Sequence, residues 1–175
     1  MTGRTRVVVA AGSNLGDRMA HLRAGVTELS RVVELEVVSD VVETPPEGGA
    51  DQNDYLNLVL VGWTTLEPRA LLEELLRIER RMGRERRAGG GEPRTLDLDL
   101  VFHGDQLRSE PGLILPHPRW HRRPFVARPL LEIWPDGIDP ESGRPLRTVV
   151  SAEVLRAPLD RIGPLADPPL PVVSQ

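Results

Sequence analysis

Lysine is absent from this chain: all 22 positions counted as lysine or arginine are arginine. A Walker-type phosphate loop and Schiff-base chemistry both need a lysine amine, so neither is available. Any phosphate handled here must be held by guanidinium forks, backbone amides or a metal. Cysteine is absent too, which excludes disulfides, thiolate nucleophiles and cysteine-bound zinc. Aromatic residues make up only 3% of the chain, with one tyrosine and two phenylalanines, and the formal net charge is −4. Scarce aromatics and net acidity argue against a nucleic-acid or anionic-membrane surface. No apolar run approaches the roughly 18 residues of a membrane span. The N-terminus lacks a signal-peptide pattern, so a cytoplasmic protein is expected.

What is present fits one domain, since 175 residues can bury a substantial core. The central stretch is Pro93-Arg94-Thr95-Leu96-Asp97-Leu98-Asp99-Leu100-Val101-Phe102. Its period of two reads as a β-strand, with Leu96, Leu98 and Leu100 towards a core and Asp97 and Asp99 on the opposite face. At about 3.3 to 3.4 Å per residue the two carboxylates lie about 6.6 to 6.8 Å apart along the strand. They repel each other and are poor strand formers. Taken alone, the doublet fits an edge strand with a charged solvent face. It also fits a two-metal site, whose ions sit roughly 3.5 to 4 Å apart and can be spanned by such a pair. The flanking residues favour the metal reading. Arg77, Arg80, Arg81, Arg84, Arg86, Arg87 and Arg94 place seven of the 22 arginines within eighteen residues. The first three fit a solvated helix face, whereas Arg84, Arg86, Arg87 and Arg94 lie beyond the helix, beside the paired acids, where anion binding is the better reading.

Along the chain, residues 6–11 read as a buried first strand, and Asp17 is placed to cap a helix over residues 18–33. Residues 35–44 read as a second strand and 45–54 as a loop rich in breakers. Residues 55–64 form a third strand with Tyr55, Asn57, Val59, Val61 and Trp63 on one face. Asn57 beside the sole tyrosine fits either a strand-end cap or a hydrogen-bonding amide next to an aromatic platform for a flat heterocycle. Pro68 opens a second helix that Gly83 stops. The cationic, glycine-rich loop to Pro93 then leads into the Asp strand. His117, flanked by prolines and followed by three arginines, is a candidate phosphate contact. Residues 126–134 read as a last core helix, followed by a hairpin at residues 141–143 and a helix over 148–156. From Ala157 the chain is proline-rich and aperiodic, and no structure is assigned to it. The β-α-β-β-α-β order over residues 6–102 is the ferredoxin-like pattern, an α+β class with an antiparallel sheet, helices on one face, the other face open for a site, and a C-terminal helical extension. The domain expected is 1–156, with a proline-rich tail over 157–175.

Gly12-Ser13-Asn14, Thr44-Pro45-Pro46, Asp54-Tyr55-Leu56-Asn57, Ile78-Glu79, Gly83-Arg84, Pro93 to Asp99, Pro116-His117, and Arg123 with Phe125 occur in an order and spacing that resembles the 6-hydroxymethyl-7,8-dihydropterin pyrophosphokinases of folate biosynthesis. The run PRTLDLDL is the most specific piece. The resemblance implies pyrophosphoryl transfer from ATP to the pterin hydroxymethyl oxygen, releasing AMP. It implies that Asp97 and Asp99 hold two Mg²⁺ ions and that Tyr55 and Phe125 sandwich the pterin. Asn57 would hydrogen-bond the ring edge, and backbone groups at Thr44 and Pro45 would read it. Arg84, Arg94, His117 and Arg123 would hold phosphates, with Glu79 on the nucleotide side and Arg86 adding to the phosphate contacts. Arg84, Arg94, Asp97 and Asp99 make up the expected catalytic set, and the protein would work as a monomer on small molecules, without nucleic-acid or membrane partners.

The chain departs from that family pattern in two places. Gly90-Gly91-Glu92 stand where Arg-Trp-Gly is common, which removes a lid aromatic, and Glu47 replaces an apolar wall residue of the pterin pocket. Two other functions fit the same order of elements: a different two-metal nucleotidyl or phosphoryl transferase, and a non-catalytic ferredoxin-like ligand-binding module.

Overall fold

The computed structural model describes residues 3–49, 51–83 and 93–165. Its central sheet is built from β1 (Thr5–Ser13), β2 (Glu34–Val38), β3 (Val41–Thr44), β4 (Tyr55–Thr64) and β5 (Asp97–His103), and a short hairpin pairs β6 (Arg108–Glu110) with β7 (Leu113–Leu115). The helices are α1 (Arg18–Leu29), α2 (Pro68–Arg81), α3 (Pro124–Ile133), α4 (Leu146–Val149) and α5 (Ala152–Arg156), and a last strand, β8 (Asp160–Gly163), follows them. The sheet runs β5-β1-β4-β3-β8 with β2 also on β4, and every pairing is antiparallel.

Alternation along the strands separates two cores. Val7, Val9 and Ala11 of β1, Leu58 and Leu60 of β4, and Leu98 and Leu100 of β5 face α1 and α2. Val8, Ala10, Val59, Val61, Val101 and Phe102 face α3, with Trp120 packed edge-to-face on Phe102 at 5.2 Å. A bulge sets Val8 opposite Phe102 and Val9 opposite Leu100. The extra residue, Val101, lets both Val101 and Phe102 join the second core, the local re-aiming that bulges provide. Asp17 caps α1 by accepting from the Ala20 amide at 3.0 Å, and Pro68 starts α2 where its missing N–H costs nothing.

Four sequence expectations change here. Helices cover both faces of the sheet, because α3 carries its own apolar stripe (Val126, Ala127 and Leu130). The second strand is two strands: Ser39 breaks it, its hydroxyl accepting from the Val59 amide at 2.9 Å. The last helix is two short ones, α5 being restarted by Ser151, whose hydroxyl accepts from Val154 N. Finally, structure continues past Ala157. The strand β8 pairs with β3, and Leu165 is buried in the first core with its carbonyl accepting from Arg23 Nε at 2.7 Å. The segment carries no alternating pattern and is flanked by Pro158 and Pro164, so its sequence does not announce a strand.

The first core also fixes where β5 begins. A Cβ on Gly25 of α1 would lie 2.6 Å from Leu96 Cδ2, and Leu96 is wholly buried. The helix therefore presses directly on the residue before Asp97. Gly25→Val is expected to destabilise the fold by about 1 to 3 kcal/mol through overpacking, read as a lower urea midpoint at unchanged slope. An unchanged midpoint would show that Leu96 can yield.

Candidate active site

Strand register builds the site floor on the second face, beyond the area α3 covers. Asn57 on β4, Gly12 on β1 and Asp97 on β5 lie in one row across the sheet, and Val59, Ala10 and Asp99 form the next. A Cβ on Gly12 would come within 2.8 Å of Asn57 Oδ1, so glycine leaves the middle of that row open. The walls come from Thr44 at the end of β3 and the Pro45 to Glu47 turn after it, from His117 and Arg119 after β7, and from Arg123 and Phe125 at the start of α3. Together they enclose a cavity of about 350 Å³ that Tyr55, Asn57, Arg94, Asp97 and Asp99 also line.

Asn14 pins the edge of this cavity. It is fully buried; its backbone N–H donates to Arg94 O at 3.0 Å, and its Oδ1 accepts from Arg94 N at 2.6 Å. Its Nδ2 donates to Gln52 Oε1 at 3.0 Å. Arg94 Nη1 then reaches Asp97 Oδ2 at 2.7 Å. On the other side Arg123 Nη1 lies 3.4 Å from Asp99 Oδ2, and its Nε and Nη2 donate to Glu47 at 3.2 and 3.0 Å. The Arg123 guanidinium also stands 5.7 Å from the Phe125 ring centroid. Asn57 Nδ2 donates to Thr44 Oγ1 at 2.9 Å, which fixes the amide so that its oxygen faces the open row.

The charges are tuned by burial. Asp99 is held above the ordinary carboxylate range, first by desolvation and then by Asp97, against the pull of His117, Arg123 and Arg94. Burial pushes His117 below its usual value, and Arg123 and Arg119 push it the same way while Asp99 opposes them. His117 Nδ1 accepts from Arg119 N at 3.1 Å, which leaves the proton on Nε2, 3.9 Å from Asp99 Oδ2. Burial is the largest influence on Arg94 and works against its charge, but Asp97, Tyr55 and Asp99 together outweigh it and the pKa is raised.

This is a donor set suited to a hard divalent cation. Among the described residues no cluster of three or more His, Asp or Glu could hold a metal. Two carboxylates with water and substrate oxygens are what Mg²⁺ commonly takes. Burial first and the Asp97 charge second raise the Asp99 pKa, and a bound cation would oppose both.

Of the residues read from the sequence, Thr44, Pro45, Tyr55, Asn57, Arg94, Asp97, Asp99, His117, Arg123 and Phe125 converge on the cavity. Glu79 does not line it. It is 1% exposed, and its Oε1 accepts from the Leu98 amide at 2.8 Å, so it supports the Asp strand from behind. Arg84 and Arg86, with the Gly90-Gly91-Glu92 departure, lie outside the described residues. Sequence reasoning assigned no role to Asn14, Gln52 or Arg119. The turn residues after the first strand were the signal for Asn14; nothing local marks Gln52.

The profile of the family described as 7,8-dihydro-6-hydroxymethylpterin-pyrophosphokinase (HPPK) matches residues 8–135. The chain belongs to this family. Similar relatives include the Bacillus subtilis 2-amino-4-hydroxy-6-hydroxymethyldihydropteridine pyrophosphokinase, 44% identical over 128 residues, covering 71% of this chain and 75% of that protein. The Synechocystis protein of the same name is 42% identical over 139 residues, covering 78% and 70%. Among solved structures, a Plasmodium falciparum HPPK-DHPS superimposes with a TM-score of 0.66 at 15% identity, covering 84% of this chain and 44% of its own. The chain thus spans less than half of that solved protein, and at such identity the likeness speaks for the HPPK fold alone.

The raised Asp99 pKa has a consequence for stability. Between the unfolded-state pKa and the higher folded-state one, the native protein binds more protons than the unfolded chain, so stability falls as pH rises through that window. Asp99→Asn removes that penalty. Without divalent metal the variant is expected to unfold at a higher temperature than the parent at neutral pH, with the gap closing as the solution is acidified. Equal melting at neutral pH would mean that Asp99 is already compensated by its cationic neighbours.

Proposed function

We propose that this HPPK-family chain transfers pyrophosphate from ATP to 6-hydroxymethyl-7,8-dihydropterin in a Mg²⁺-dependent reaction, and that Asp97 and Asp99 hold two metal ions. The observation that carries the reading is the convergence of the Asn57 amide, two aromatics, a carboxylate pair and three arginines on one cavity. The hydroxymethyl oxygen attacks the β-phosphorus of ATP, and the bond from that phosphorus to the α–β bridging oxygen breaks. AMP leaves with the bridging oxygen, and the hydroxyl proton is released to solvent overall. Phosphoryl-type transfer asks for positioning and charge neutralisation more than for covalent help from the protein. Magnesium, when bound, neutralises the phosphate oxygens.

The chain's own residues supply the rest. Tyr55 and Phe125 offer faces for a flat heterocycle, and Asn57, braced by Thr44, presents an amide to its edge with Pro45 alongside. Arg94, Arg123 and the Nε2–H of His117 lie on the acid side of the cavity, where the phosphate chain belongs. Arg84 and Arg86 are assigned to the same phosphate group on the resemblance, and Glu79 acts by bracing β5. We also read the sheet as ferredoxin-like: the order β5-β1-β4-β3, with the second strand divided into β2 and β3, supports it. We also read the protein as a monomer, with a working unit that includes β8 and Leu165, since these pack on the sheet and the first core. ATP as co-substrate fits the cytoplasm.

The deciding experiment is AMP release from ATP, with and without 6-hydroxymethyl-7,8-dihydropterin. AMP is expected only with both substrates and Mg²⁺ present. Asp97→Asn and Asp99→Asn are each expected to abolish it while remaining folded. Near-normal turnover in either variant would sink the two-metal assignment, and binding without AMP would favour a ligand-binding module.

The aromatic pair makes a separate expectation. Tyr55→Ala and Phe125→Ala are each expected to weaken pterin binding by about 1 to 3 kcal/mol, the range for bases stacked on aromatics, with much smaller effects on ATP. Calorimetry that finds ATP hurt more than pterin would show that the platform is misplaced.

A further inference from the structure

We propose that Glu47 is a built-in competitor of the phosphate chain: its carboxylate occupies Arg123 until ATP displaces it. The proposal rests on the reading of Arg123 as a phosphate contact. All three Arg123 nitrogens are engaged, Nε and Nη2 by Glu47 at 3.2 and 3.0 Å and Nη1 by Asp99 at 3.4 Å. The Glu47 pair is a two-pronged carboxylate–guanidinium contact, the geometry by which arginine also grips phosphate. Arg119 adds a weaker approach to the same carboxylate at 3.8 Å. A phosphate oxygen arriving at the Nε–Nη2 edge therefore meets an anion already in place.

The two partners differ in how easily they can leave. The Arg123 side chain is 12% exposed, and it is held by Asp99 and by the Phe125 ring. Glu47 is 52% exposed and sits on the short turn Glu47–Gly49, where Gly48 takes φ of 81°, a conformation that glycine adopts without strain. The carboxylate can rotate into water, while the guanidinium cannot follow. An exposed carboxylate carries one screened charge, and a polyphosphate carries several, so ATP wins the exchange at a cost. That cost would be missing with an apolar residue at position 47.

The test is calorimetric binding of α,β-methylene-ATP with Mg²⁺ at fixed salt. Glu47→Gln is expected to bind about 2- to 5-fold more tightly than the parent, the upper part of the range for exposed ion pairs because the contact is two-pronged. Glu47→Asp, which keeps the charge, is expected to stay near the parent. In an Arg123→Met background the Glu47→Gln gain is expected to vanish. Inorganic triphosphate with Mg²⁺ should reproduce the ratio, because the displaced group meets only phosphate. Equal affinity in parent and Glu47→Gln overturns the competitor while leaving the enzymatic reading intact. So does weaker binding in Glu47→Gln, or a gain that persists without Arg123. Failure of every variant to bind the analogue, together with no AMP release by the parent, would instead overturn the functional reading itself.

Discussion

Asp97 and Asp99 share one face of β5, and their mutual repulsion, sharpened by the burial of Asp99, is the constraint on which the rest of the site depends. A strand does not adopt two like charges on one face for its own sake. Their position is bought by the opposite face, where Leu98 and Leu100 enter the first core and Leu96 wedges against Gly25. Glu79 adds a hydrogen bond to the Leu98 amide from the same side. Hydrophobic burial behind the strand thus holds in place an electrostatic arrangement that would not hold itself.

The arginines are arranged unequally around this pair. Arg94 is tied to Asp97 and clipped through its backbone to Asn14, whereas Arg123 is divided between Asp99 and Glu47. A guanidinium committed to one acid keeps its place whatever binds. One divided between two acids has a choice of partner. The family likeness alone gives no hint of this division.

The floor of the site was legible in the sequence because it follows from a period of two. Once residues 55–64 and 96–100 are strands, Asn57 and the two aspartates must face one side and the leucines the other, as they do. What could not be read was whatever depends on contacts between distant segments. The apolar stripe of α3 was visible, but nothing in residues 126–134 says which face of the sheet it covers. Glu79 looked like a nucleotide-side residue by its position in the family order, yet the fold turns its carboxylate to a backbone amide nineteen residues on. Asn14 and Gln52 are separated by 38 residues, and no local pattern announces their bond. Proline content hid β8 because it signals disorder more strongly than four residues can signal a strand.

That last strand carries a liability with it. By pairing with β3, β8 closes what would otherwise be a free row of backbone donors and acceptors, flanked by the buried Val41 and Val42. An unpaired apolar edge is a template for another copy of the same chain. Among the described residues, those after Ala157 add nothing to the cavity lining, yet they replace an apolar edge at β3 with the short, charged edge of β8. Trimming the chain to its family-matched portion would keep every lining residue and expose the very strand from which the Thr44–Glu47 loop departs.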